Sequence, residues 1–224
     1  MRNPSRRPAL VSLLLLASLA TGCAEVSREL TISEVTSAEL QSVLVQPVDL
    51  PGWTSEEVQP VAGTERVQNR FEEEVTSDGS YICDLEPVTG SLYTSPEETR
   101  TVVSQAERIC GASSDVLEYT ISKEAAYREA ERAQLTANLA SAGVSVTDYE
   151  SSRVELGLGS DVIAYQTAAL LQGAEQSLEY QSFTVTIFGE KVATTLFFEG
   201  YGVPVDADDL ERLVSLVRAR QANL

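Results

Sequence analysis

Residues 180–200 read Tyr180-Gln181-Ser182-Phe183-Thr184-Val185-Thr186-Ile187-Phe188-Gly189-Glu190-Lys191-Val192-Ala193-Thr194-Thr195-Leu196-Phe197-Phe198-Glu199-Gly200. Apolar and hydroxyl-bearing side chains alternate on both sides of Gly189-Glu190, the period-two pattern of two strands joined by a tight turn. Glycine at the first of two central positions marks a type II′ hairpin. The sequence therefore predicts strands from Tyr180 to Phe188 and from Lys191 to Gly200, with Phe188 opposite Lys191 and Ile187 opposite Val192. That register places Phe183, Val185, Ile187, Val192, Thr194, Leu196 and Phe198 on one face, which must be covered. Phe188 and Phe197 point the other way. Either another layer of the same domain buries them or they line a ligand or partner surface.

The cover for the first face follows directly in the chain. Asp206 has the position of a helix N-cap, Asp208 and Asp209 fall in the positive first turn, and Arg218 and Arg220 at the negative end. Between them Leu210, Leu213, Val214 and Val217 follow i, i+3, i+4, i+7, one apolar stripe. Working outward, Val162, Ala164 and Gln166 alternate with Ile163, Tyr165 and Thr167 in a strand entered through Gly159-Ser160-Asp161. The glycines at 157 and 159 precede a strand rather than a helix, so they read as a tight entry and not a nucleotide turn. Ser122 to Ala142 has no internal Pro or Gly and ends before Gly143, a central helix with Tyr127, Ala130, Leu135 and Leu139 on its buried side. Thr36 and Glu39 form a capping box before the stripe Leu40, Val43, Leu44, and the Pro47 to Trp53 stretch ends that helix. Ser95-Pro96-Glu97-Glu98 has the form of a helix start, whereas β-branched Thr101-Val102-Val103 and the Gly111 turn favour strands, so residues 96–110 read as helix or strand, with Thr99–Cys110 and Asp115–Ile121 as a strand pair the preferred reading. Alternation also runs from Val67 to Val75, and a strand enters Cys83. The expected architecture is α+β: an antiparallel sheet of about five strands with helices packed on one side.

The N-terminus carries a different message. Arg2, Arg6 and Arg7 precede an apolar run from Ala9 to Ala20, the layout of a secretory signal. The run closes on Leu19-Ala20-Thr21-Gly22-Cys23, which resembles the lipobox of bacterial lipoproteins. The resemblance implies that Cys23 takes a diacylglycerol and becomes the N-terminus after cleavage. Residues 1–22 are then a lipoprotein signal peptide, 23–35 a lipidated tether and 36–224 one extracytoplasmic domain on the outside of the cytoplasmic membrane. With Cys23 assigned to lipid, Cys83 and Cys110 remain, and export to an oxidising compartment makes a disulfide between them the default.

Composition excludes several functions. The three arginines of residues 1–22 leave 13 of the 16 basic side chains against all 34 acidic ones beyond Gly22, a net charge of −21. So acidic a domain is repelled by nucleic acid and by anionic lipid, so no nucleic-acid partner is expected; the charge keeps the chain soluble and, by expectation, monomeric. Runs such as Glu72-Glu73-Glu74 read as solvated faces. There is no histidine, which removes His-based triads and most zinc sites. Neither lysine, Lys123 or Lys191, sits in a Ser-x-x-Lys pattern, and Asp206-Ala207-Asp208-Asp209 lacks the Gly and terminal Glu of a calcium loop. With 34 acids some carboxylates will always be close, so no carboxylate pair stands out as catalytic. No enzyme, metal or cofactor is expected.

Several passages together resemble a known group, the extracytoplasmic sensor-type domains of actinobacteria, found as lipoproteins and as the outer part of membrane Ser/Thr kinases. They are the helix followed by Val48-Asp49-Leu50-Pro51-Gly52-Trp53, the Ala- and charge-rich helix at Lys123 to Ala142, the passage Leu156 to Tyr165, and the Phe183–Phe198 hairpin with its following helix. Gly143 stands near where members commonly carry a cysteine. The resemblance implies a non-enzymatic module with a cleft beside the sheet. Trp53, Tyr165, Phe188 and Phe197 are the candidate ligand- or partner-binding residues, for a lipid, glycan or small envelope metabolite. For Trp53, packing as the lid of a core is the commoner outcome. The alternative function is an accessory protein that binds another envelope protein through its acidic surface.

Overall fold

The computed structural model describes residues 35–58, 89–109, 113–174 and 176–224. Cys23, Cys83, Cys110 and the Val67–Val75 alternation lie outside these residues, and with them the lipidation and disulfide expectations. The described chain runs α1 (Ser37–Val43), a 3-10 turn (Pro47–Asp49), β1 (Thr54–Val58), β2 (Thr89–Thr94), β3 (Arg100–Arg108), α2 (Ser113–Ser122), α3 (Glu124–Ala140), β4 (Ser145–Val154), β5 (Val162–Gln172), β6 (Ser177–Phe188), β7 (Val192–Tyr201) and α4 (Ala207–Gln221). Its strands form one sheet in the order β1-β2-β3-β7-β6-β5-β4, with every neighbouring pair antiparallel. None of the described helices is long and apolar enough to cross a membrane.

The sheet has seven strands rather than about five, and helices cover both of its faces rather than one. On the first face α4 inserts Leu210, Leu213, Val214 and Val217 among Val102, Val185, Ile187, Leu196 and Phe198. Beside it α1 packs Leu40 and Val43 with Ala106 and Val192. Both helix starts form as their sequences require: Thr36 and Glu39 close a capping box, and the Asp206 carboxylate accepts from the Asp208 and Asp209 amides.

On the second face α2 sets Val116, Leu117 and Ile121 against Ile109, Ile163, Phe188 and Ala193. This overturns the expected strand at Asp115–Ile121. As a strand, the segment would send Val116 and Leu117 to opposite sides; as a helix it brings Val116, Leu117 and Ile121 to one side, where the back of the hairpin needs cover. The Thr99–Cys110 expectation holds for β3. Ser95-Pro96-Glu97-Glu98 is the turn into it, with Glu98 at φ 55° and the Ser95 amide donating to the Arg100 carbonyl at 3.0 Å. Next, α3 carries the chain toward the far edge of the sheet and ends at Gly143 (φ 73°). There the Val144 amide donates to the Leu139 carbonyl and that of Gly143 to Ala140, a Schellman ending.

The hairpin keeps its predicted faces but not its turn. Phe188 pairs with Ala193 and Ile187 with Thr194, two residues further along β7 than a II′ turn allows, and Gly189 does not have the positive φ such a turn requires. A slip of two leaves every side chain on its face. The wider turn is held from α4, where the Gln221 amide donates to Thr194 Oγ1 at 2.8 Å and to the Val192 carbonyl at 3.1 Å. At the other end of β7 the backbone folds back so closely that a Cβ on Gly200 would collide with the Val203 carbonyl oxygen.

Candidate functional site

The inner side of α3 is apolar at one end and charged at the other. Leu135 and Leu139 pack with Ala169, Leu171 and Tyr180, whereas Glu124, Arg128 and Glu131, on the same side by their spacing, meet a row of polar residues. Antiparallel partners share a face, and the register lines up Ser151, Thr167, Ser182, Glu199 and Thr101 directly across β4, β5, β6, β7 and β3. One row further along lie Ala169, Tyr180 and Tyr201.

Two carboxyl groups organise this layer. Glu131 accepts from Tyr149 Oη at 3.3 Å. The Thr167 hydroxyl lies 3.5 Å from both Glu131 oxygens and 3.0 Å from Ser151 Oγ, and with one proton it serves one of them at a time. Glu199 is held more tightly, by Tyr180 Oη at 2.9 Å and Thr101 Oγ1 at 2.7 Å. Between them sits Ser182, 4% exposed, whose hydroxyl neighbours Tyr180 but makes no hydrogen bond of sound geometry. The Tyr165 hydroxyl and Arg128 Nε are likewise buried without partners, although Arg128 Nη1 donates to the Ser151 carbonyl at 2.8 Å and Nη2 lies 3.3 Å from Glu124. The Arg132 guanidinium stands 5.5 Å above the Tyr149 ring.

Burial pushes the Glu131 carboxyl above the ordinary carboxylate range and the Glu199 charge adds to this, against the lowering effect of the Tyr149 and Thr167 hydrogen bonds. Burial, reinforced by Glu199, also pushes Tyr180 and Tyr201 well up, so both remain neutral donors. The layer thus offers oxygen acceptors and hydroxyl donors with negative charge. That suits a hydroxylated or amine-bearing group and repels an anion. Among the described residues no group of three or more His, Cys, Asp or Glu is placed to hold a metal ion.

The residues singled out from sequence fall in two places. Tyr165 and Phe188 come together beneath α2, and Phe197 stands on the same face, in the row Tyr165–Thr184–Phe197–Val103. Trp53 lies on the first face, lining a shallow open depression with Leu50, Val102, Phe198 and Val205 whose cavity volume is ≈ 10 Å³, far below the usual size of a ligand pocket. The four do not share one surface. By composition alone Glu131 and Glu199 are two acids among 34. The available signal was positional: Glu131 is four residues from Leu135 on the buried side of the helix, and Glu199 alternates with Phe197 and Tyr201. Compared with known proteins, the chain matches no family model, no curated protein sequence and no solved structure.

Proposed function

We propose that this chain is a lipid-anchored extracytoplasmic protein acting as a non-enzymatic ligand-binding or sensor-type module, and that its ligand engages the polar layer beneath α3. The observation carrying the reading is Ser182, a buried hydroxyl without a hydrogen bond between Thr167 and Glu199. A polar group buried unsatisfied costs about 1–3 kcal/mol, and two carboxyl groups in the same layer raise that cost. A layer with a purely structural role is better filled by apolar side chains. The likeness of the Leu156–Tyr165 and Phe183–Phe198 passages to sensor-type domains agrees with this reading, as does the acidity, which favours a neutral or basic ligand.

Native mass spectrometry of the exported full chain, released from detergent, is expected to reveal a co-purifying hydroxylated or amine-bearing molecule that Ser182→Val and Glu199→Leu chains lack. The same mass on all three proteins, or bare protein throughout, would sink the assignment of this layer. The anchor is tested separately by detergent phase separation. Cys23→Ala is expected to leave the detergent phase or stall as an uncleaved precursor, because the two acyl chains supply ~0.8 kcal/mol per buried CH₂; unchanged partitioning would remove the lipoprotein reading. The accessory-protein alternative calls for an apolar patch ringed by acids, whereas the exposed large apolar residues among those described, Val48 and Leu178, stand on separate elements.

A further inference from the structure

α3 is held to the sheet by two unlike attachments. Toward its C-terminal end, Leu135 and Leu139 make an apolar contact that does not depend on pH. Toward the middle the attachment is Glu131, whose contacts with Tyr149 and Thr167, 3.3 and 3.5 Å, are longer than the 2.5–2.7 Å of a hydroxyl bound to a full carboxylate charge.

Among the described residues no cation forms an ion pair with Glu131. On its own helix Arg128 is engaged by Glu124 and the Ser151 carbonyl, and Arg132 lies over the Tyr149 ring. From β4 it is faced by Tyr149 and Ser151, with Arg153 in the next row beside Tyr165; from β5 by Thr167, with Tyr165 beyond; from β6 by Tyr180 and Ser182; from β7 by Glu199 and Tyr201; and from β3 by Thr101. The charge that acts on it from across the sheet is another carboxylate, Glu199. An ionised Glu131 is part-buried beside a like charge, whereas a protonated one becomes a donor that the Thr167 or Tyr149 oxygen can accept.

We propose that Glu131 is a proton-operated latch: protonated, it holds α3 against the sheet, and on ionisation it releases the helix and opens the polar layer to solvent. As a regulator of ligand access the latch rests on the binding reading above; the helix movement itself needs no ligand. Its direction follows from the raised carboxyl. A group favoured neutral when docked and ordinary when released stabilises the docked helix fully below the ordinary carboxyl value of 4.5, and that stabilisation is lost as pH rises toward the docked-state value. The latch closes in acid.

Hydrogen exchange of the full chain, with labelling times scaled for intrinsic exchange, tests this between about pH 4 and about pH 8. Protection of the α3 amides is expected to fall by up to ~tenfold per pH unit within the window between the two carboxyl values, while β6 and β7 stay protected. Glu131→Gln, neutral at every pH, is expected to flatten the profile, and Glu199→Gln to make the fall smaller and end it at lower pH, because removing the repelling charge lowers the docked-state value. Should Glu131→Gln fail to fold, as β6 and β7 protection would reveal, the Glu199→Gln shift decides alone. A flat wild-type profile overturns the latch, as does unchanged pH dependence in a folded Glu131→Gln chain, an unshifted Glu199→Gln profile, or loss of β6 and β7 together with α3. A bare protein in mass spectrometry combined with a pH-dependent α3 would overturn ligand binding and leave the latch standing.

Discussion

Replacing Arg220 with alanine is expected to destabilise the protein by about 3 kcal/mol, the lower end of the range for breaking a buried ion pair. Arg220 on α4 grips Asp49 with both terminal nitrogens, at 2.7 and 2.9 Å, and also donates to the Leu44 carbonyl at 2.8 Å. The Asp49 side chain is 7% exposed and that of Arg220 25%; the partial exposure of the arginine sets the lower figure. Without it the carboxylate keeps one charge-assisted bond, from the Gln46 amide at 2.7 Å, and the hold of α4 on the turn after α1 is reduced to the Arg212 bond to the Asp49 carbonyl at 2.8 Å and apolar packing. Burial works against the Asp49 charge, but the Arg220 and Gln46 hydrogen bonds and the Arg220 and Arg212 charges outweigh it, and the carboxyl titrates below its ordinary value. A depressed carboxyl contributes stability above its unfolded value, near pH 3.8, and that contribution is lost as pH falls through the folded one. The deficit of Arg220→Ala should therefore be full at neutral pH and shrink in acid. Denaturant unfolding at two pH values, with the slope m unchanged, checks both parts; a deficit that is the same in acid would place the effect in packing instead.

Phe188→Ala and Phe198→Ala are each expected to cost about 3–5 kcal/mol as core truncations, although the two side chains point to opposite faces. Phe198 is 3% exposed and Phe188 6%: the first lies under α4 and the second under α2. Phe197, half-buried on the second face, should cost less than half as much. Unfolding midpoints of the three variants decide the matter. A Phe188→Ala protein as stable as the parent would mean that α2 does not form part of the core, and a stable Phe198→Ala protein would refute the assignment of faces.

These expectations show where reading the chain succeeded. Period-two alternation assigns Phe183, Val185, Ile187, Leu196 and Phe198 to one face whatever the turn, because a slip of two residues preserves parity; the hairpin survived an error in its loop for that reason. The capping boxes and the i, i+3, i+4, i+7 stripe of α4 are likewise local chemistry, set by orphan amides and helical geometry within a few residues. Edge strands fared worse. β4 was missed because it is polar along much of its length and carries a bulge between Thr147 and Glu150, where the register shifts beside Asp148 at φ 50°, so no clean alternation survives.

The amino-acid sequence by itself determined the hairpin faces, the helices with caps and stripes, and the excess of acidic over basic side chains, since these follow from nearest neighbours and composition. Tertiary structure decided whether Ser113–Ser122 is strand or helix, because burying Phe188 and Ile163 needs Val116, Leu117 and Ile121 on one side. It set the hairpin turn through Gln221, placed Trp53 apart from Tyr165 and Phe188, and gathered Glu131 and Glu199 over Ser182. Those outcomes depend on groups tens of residues apart along the chain, whose mutual burial and charge exist only once the layers have closed.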